Sequence, residues 1–243
     1  MKMLTFAGRN TKEIVRDPLN IAFGLGFPIV MILLLSAIQA NIPVPMFEIQ
    51  HLTPGISIFG LSFITLFTAT IISKDRGSSL LQRLYTTPLS PIDFIAGYTI
   101  PILPIALLQC IACYIVAILL GLKVTICVLY AVLGIVPISL LYIAIGLLCG
   151  SVLNDKQVGS VCGALLTNLT AWLSGIWFDL ELVGSAFKKT AYALPFVHAV
   201  EMERALLTGS IVDAFPHLLW ILGYAVVIWC AAVLLFLRQM KQQ

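Results

Sequence analysis

Charge is what this sequence has least of. Only 10% of its 243 residues are Asp, Glu, Lys or Arg, 60% are hydrophobic, and the mean hydropathy is +1.04. A soluble domain carries roughly a quarter of its residues as charges, so the composition is that of an integral membrane protein. The net charge of +3 is too small to imply a nucleic-acid partner. Histidine is also scarce: His51, His198 and His217 are the only three, and none lies in the HExxH pattern of an intramembrane metalloprotease. Ser139 and Ser174 have no base at membrane depth to activate them, which argues against a hydrolase. The six cysteines all fall in apolar runs. Cys110 and Cys113 have CxxC spacing but no polar flanks and no histidine companion, so they read as small packing residues, with no metal site expected. The first apolar run is too long and too far from the N-terminus for a secretory signal, and no small-x-small cleavage site ends it.

Long apolar runs are what the chain has most of. Crossing a bilayer takes about 20 helical residues, and six runs qualify: Asn20 to Ala40, Pro54 to Ser73, Phe94 to Leu122, Val124 to Val152, Val158 to Phe178 and Pro216 to Leu237. In hydrocarbon each segment must satisfy its own amides, and continuous apolar runs without period-two alternation select helices over a barrel. The expected fold is one all-α transmembrane domain over 1–243 with six spanning helices. None of the 14 basic and 11 acidic residues falls inside these runs, which argues against an ion-coupled carrier with its membrane-depth charge.

Lys and Arg set the orientation. Lys2, Arg9, Lys12, Arg16, Lys74, Arg76, Arg83, Lys156, Arg238 and Lys241 gather on one side, against Lys123, Lys188, Lys189 and Arg204 on the other. The positive-inside rule then puts both termini and the Lys74 loop in the cytoplasm of a multi-pass membrane protein, the expected setting being a bacterial plasma membrane. The N-terminal segment 1–19 has a weak apolar side in Leu4, Ala7, Ile14 and Val15 and is expected to lie along the membrane surface, in contact with lipid.

Two further patterns stand out. Gly159, Gly163, Thr167, Ala171 and Gly175 recur at every fourth position, as do Gly146 and Gly150. Such spacing lets helix backbones approach closely, within one subunit or along a seam between subunits. Asn168 and Trp172 lie beside the longer stripe, and Asn168 is expected to face a pathway or a dimer seam. The outer segment 179–215 is too apolar for a solvated loop and too interrupted to span. Pro195 suits a first helical turn, and the segment either rests on the membrane surface or dips in and returns.

The polar stretch Lys74 to Asp93 is far longer than the roughly five residues a turn requires. Gly77 and the serines after it open a short helix, Ser78 to Tyr85, with Leu80, Leu81 and Leu84 on one face and Gln82 and Arg83 on the other. Thr86, Thr87 and Pro88 stop it. Ser90-Pro91-Ile92-Asp93 then has the form of a helix start. A short helix with an apolar face and a basic edge, held between two spans, suits a soluble partner.

Taken together these motifs resemble the permease subunit of type-two ATP-binding-cassette exporters, the class of drug, antibiotic and polysaccharide exporters. Arg16-Asp17-Pro18 is similar to that family's entry motif. Asp75-Arg76-Gly77, Arg83-Leu84 and Thr87-Pro88-Leu89-Ser90 resemble its cytoplasmic signature. Leu194-Pro195-Phe196, Arg204 and Leu207-Thr208-Gly209 resemble its outer segment. Members often carry Glu-Arg-Glu and Gly-Thr before the helix, where this chain has Asp75-Arg76-Gly77-Ser78-Ser79. The resemblance implies a half-channel working with a second permease, identical or not, and two cytoplasmic ATPases that bind ATP and Mg. This chain itself has no phosphate loop and is expected not to be an enzyme. It implies ATPase coupling through Asp75, Arg76, Gly77, Leu80, Leu81, Arg83, Leu84 and Pro88, beside an interface helix with Arg9, Arg16, Asp17 and Pro18. It further implies an outer gate at Phe178, Pro195, Phe196, His198 and Arg204. The uncharged spans favour a hydrophobic or amphipathic cargo. The alternative is a channel not driven by ATP, or a scaffold subunit of a larger complex.

Overall fold

Amides that hydrocarbon cannot satisfy drive nearly all of the described chain into helix. The computed structural model describes residues 2–42, 47–78 and 91–241, with 2, 19, 20, 91 and 239–241 as backbone only. Helix α1 is Lys2–Val15. Run α2, residues 18–39, contains a π-helical stretch at Ala22–Gly26. Helices α3 (Ile49–Gly77), α4 (Pro91–Leu119) and α5 (Ile126–Val152) follow. Run α6, residues 155–173, has a second π-helical stretch at Gly159–Leu166. A 3₁₀ turn at Leu180–Leu182 leads into α7 (Ser185–Tyr192), α8 (Pro195–Thr208) and α9 (Ile211–Lys241).

Five of these, α2 to α5 and α9, are long and apolar enough to cross a membrane. The expected fifth span falls on run α6, a continuous helix that ends at Leu173 rather than Phe178 and is not among these five. Several expected boundaries move outward, two of them with consequences. α3 continues to Gly77, so Lys74 to Gly77 form its last turn instead of opening a loop, and α9 begins at Ile211 instead of Pro216.

α3 is the axis of the bundle and is buried along most of its length. Its closest neighbour is α5, and the reason lies in two glycines. A methyl at Gly146 would come within 2.8 Å of the Thr65 carbonyl oxygen, and one at Gly150 within 2.8 Å of the Ala69 carbonyl oxygen. The α5 pair is therefore packing inside the subunit. The α6 stripe is different: Gly159 has open space around it, Gly163 meets only Leu66 at 3.5 Å, and Thr167 and Ala171 are buried. Gly175, with φ of 68°, turns the chain where α6 ends.

The outer segment folds back into the bundle. α8 runs antiparallel to α5, with Gly209 beside Cys127 at one end and Phe196 against Tyr142 at the other. Tyr142 is 16 residues along α5 from Ile126, about 24 Å at the helical rise. The turn between α7 and α8 therefore stands opposite the middle of α5.

Candidate functional site

The Asp75-Arg76-Gly77 signature is built around one buried carboxylate. Asp75, 2% exposed, sits in the last turn of α3. Arg9 of α1 grips it with both guanidinium nitrogens at 2.5 and 2.7 Å, and Tyr98 of α4 donates to it at 2.9 Å. Arg9 also pairs with Glu13 one turn on, at 2.7 Å. Phe6 packs edge-on against Phe94 and Tyr98, and Asn10 donates to the Gly97 carbonyl at 3.0 Å. A side chain at Gly97 would strike the Phe6 ring, so glycine is what lets α1 lie this close. Of the residues expected on the apolar side of α1, Ala7 and Ile14 are buried, while Leu4 and Val15 are exposed and Phe6 and Asn10 take their place.

Arg76 serves a different helix. Its guanidinium donates to the carbonyls of Ser151, Val152 and Leu153, capping the end of α5. Those carbonyls have no intrahelical partner, and a cation there complements the helix dipole. Next to this cap, Asn154 and Gln157 form a reciprocal capping box that starts α6. A polar cleft lined by Lys74, Arg76, Gly77, Asn154, Asp155 and Lys156 opens between these ends. Arg16, Asp17 and Pro18 line a second cleft with Arg9, Lys12 and Glu13. Asp75 and Arg76 thus bind α1, α3, α4 and α5 into one junction at the base of residues 79–90. Leu80, Leu81, Arg83, Leu84 and Pro88, and with them the expected short helix, lie outside the described residues. Ser78 is extended, its amide closing α3 on the Lys74 carbonyl.

In the segment 179–215, Pro195 occupies the first turn of α8. Arg204 donates to Glu201 at 3.0 Å and to the Gly175 carbonyl at 3.1 Å, tying α8 to the end of α6, and Phe178 packs near Phe187. His198 stacks on Trp220 with centroids 4.9 Å apart, and its Nδ1 lies 2.8 Å from His217 Nδ1. Its Nε2 faces the Tyr192 carbonyl at 3.0 Å and must donate, so Nδ1 accepts and His217 donates. Burial lowers the His198 pKa, the Tyr192 carbonyl opposes this, and His217 adds to it. No group of three or more metal-ligating side chains occurs among the described residues.

Sequence reasoning missed Glu203. It lies in none of the six apolar runs, yet α8 carries it fully buried into the bundle, where Tyr114 of α4 donates to Oε2 at 2.7 Å. Burial raises its pKa, and the Tyr114 hydrogen bond only partly offsets this. The six apolar runs remain free of charged residues, but a carboxylate from outside them packs into the bundle. The overlooked signal is that Glu203 continues the buried face of Phe196, Ala199 and Val200, while Glu201 and Arg204 are less buried. Asn168 is exposed and donates to its own Ala164 carbonyl at 2.8 Å, with Trp172 exposed beside it.

The family model described as ABC-2 type transporter matches residues 2–208 of the chain. No curated protein matches it.

Proposed function

Because the chain is a member of the ABC-2 type transporter family, we propose that it is the permease of an ATP-driven exporter whose energy comes from a separate ABC ATPase. The observation that carries this reading is the junction of Arg9, Asp75, Tyr98 and Arg76. A soluble motor can move membrane helices only through a point where they are joined, and four helices meet at the foot of residues 79–90. Force applied there reaches α3 and α4 directly and α5 through the Arg76 cap. In this reading both termini are cytoplasmic, α6 is the fifth of six crossings, and two permeases pair with two ATPases. The exposed Asn168 and Trp172 edge of α6 is the candidate seam or pathway, and the α7–α8 pair is the outer gate. The cargo is hydrophobic or amphipathic, in keeping with the apolar bundle, and the chain itself hydrolyses no ATP.

Replacing Leu80 and Leu84 together by Asp tests the coupling assignment. Membrane insertion is expected to persist while co-purification with the ATPase is lost. Unchanged co-purification would remove the assignment, and full transport without any ATPase would favour a channel.

A further inference from the structure

The only buried carboxylates among the described residues are Asp75 and Glu203, and they are treated in opposite ways. Asp75 has a guanidinium on both of its oxygens. Glu203 has no cation: Arg204 beside it is turned to Glu201 and Gly175, and no described ion pair includes Glu203. Its Oε2 accepts from Tyr114, and its Oε1 has no partner. The titratable groups near it on α4 are Tyr114, Cys110 and Cys113, all neutral when protonated and unable to compensate a negative charge. On α9, His217 is engaged by His198, and Asp213 sits in the first turn. The α5 side offers only Gly134, where an added methyl would come within 3.1 Å of Oε1.

An ionised carboxylate here would leave a bare anionic oxygen in an apolar wall, with no cation to offset its lost hydration. A hydroxyl at Oε1 forgoes only one neutral hydrogen bond. Oε2, already holding the Tyr114 proton donor, is the carbonyl end, and Oε1 is where the proton belongs. Gly134 is 8 residues along α5 from Ile126, about 12 Å by helical rise, so the carboxyl lies within the outer half of the bundle. It is enclosed where α8 packs against α5, α3 and α9 and meets α4 through the Tyr114 hydrogen bond.

We propose that Glu203 is a proton-binding site, filled in the arrangement seen here and emptied when α8 parts from α4 and α5 and water reaches the carboxyl. Opening the outer face would then release one proton outward, and reclosing would take one up, so an alkaline exterior favours the open state. The site itself stands without the permease reading, whereas its release on opening rests on that reading.

The test is infrared spectroscopy of the full chain in lipid, following the carbonyl band of a protonated carboxylic acid through a pH titration. Wild type should show this band at neutral pH and lose it on alkalinisation, and Glu203→Gln should lack it throughout. Tyr114→Phe removes a donor that favours the ionised form, so its band should persist to higher pH, by about tenfold in proton affinity. A neutral-pH wild-type spectrum that matches Glu203→Gln in this region overturns the site. Should the Gln variant fail to fold, a Tyr114→Phe titration identical to wild type overturns it instead. For the release step, the complex with its ATPase trapped by nucleotide should lose the band at neutral pH, and a band unchanged by trapping overturns release while leaving the site. Failure of the Leu80 and Leu84 double variant to lose its ATPase would strike the permease reading alone.

Discussion

Arg9 and Asp75 are partners of unequal burial: both guanidinium nitrogens reach the carboxylate, yet the Arg9 side chain is 39% exposed and that of Asp75 only 3%. Removing one is not equivalent to removing the other. Arg9→Ala strands a buried anion on Tyr98 alone and is expected to cost on the order of 3 kcal/mol. Asp75→Asn leaves Arg9 free to turn wholly to Glu13 and keeps an acceptor for Tyr98, so about 1 kcal/mol is expected. Thermal unfolding of the solubilised chain, with protease cleavage of α1 as a local readout, measures the asymmetry. Equal losses would contradict it.

Arg76 caps three carbonyls at the end of α5. Arg76→Ala should lower stability by about 2 kcal/mol, since these are hydrogen bonds from a charged donor. Arg76→Lys should recover less than half, because an ammonium cannot present the same planar fork to separated acceptors. Hydrogen exchange at residues 149–153 is the local measurement, with faster exchange expected in both variants.

The two glycine patterns should respond oppositely to one methyl group. Gly150→Ala drives a carbon into the Ala69 backbone and is expected to destabilise by about 1–3 kcal/mol. Gly163→Ala meets only the Leu66 side chain at ordinary contact distance and should leave the melting temperature unchanged. A large loss from Gly163→Ala would place a packed neighbour at that position.

His198 supplies a pH dependence of known sign. Its folded-state pKa is lowered, chiefly by burial, so between that value and the unfolded one near 6.5 the unfolded chain binds more protons. Stability is therefore present above about pH 6.5 and falls as pH drops through the folded value. Protonation would also set two N–H groups against each other at the His217 contact. Wild type should melt earlier on acidification below this range, and His198→Gln should flatten the profile. An identical slope in both would assign the dependence elsewhere.

Hydropathy alone located α2 to α5 and α9, because a bilayer imposes length and composition on each helix separately. Hydropathy could not show that Lys74 to Gly77 prolong α3, because a charged last turn looks like a loop until Asp75 finds Arg9 and Tyr98 at long range. The π-helical stretches in α2 and α6 left no periodic trace. Glu203 gave no signal because it lies outside every apolar run; its position on the buried face of α8 emerges only when the helix is set against α5. The small-residue spacing was visible in both α5 and α6, but which of them packs inward depends on what stands opposite.

The close approach at Gly146 and Gly150 has a mechanical meaning. Two helices whose backbones touch cannot slide along each other or shear, so α3 and α5 act as a single stiff strut. The Asp75 anchor and the Arg76 cap sit at one end of it, and Gly134 and Tyr142, which seat α8, lie farther along the same piece. A tilt imposed at that end must appear undiminished where Glu203 is enclosed.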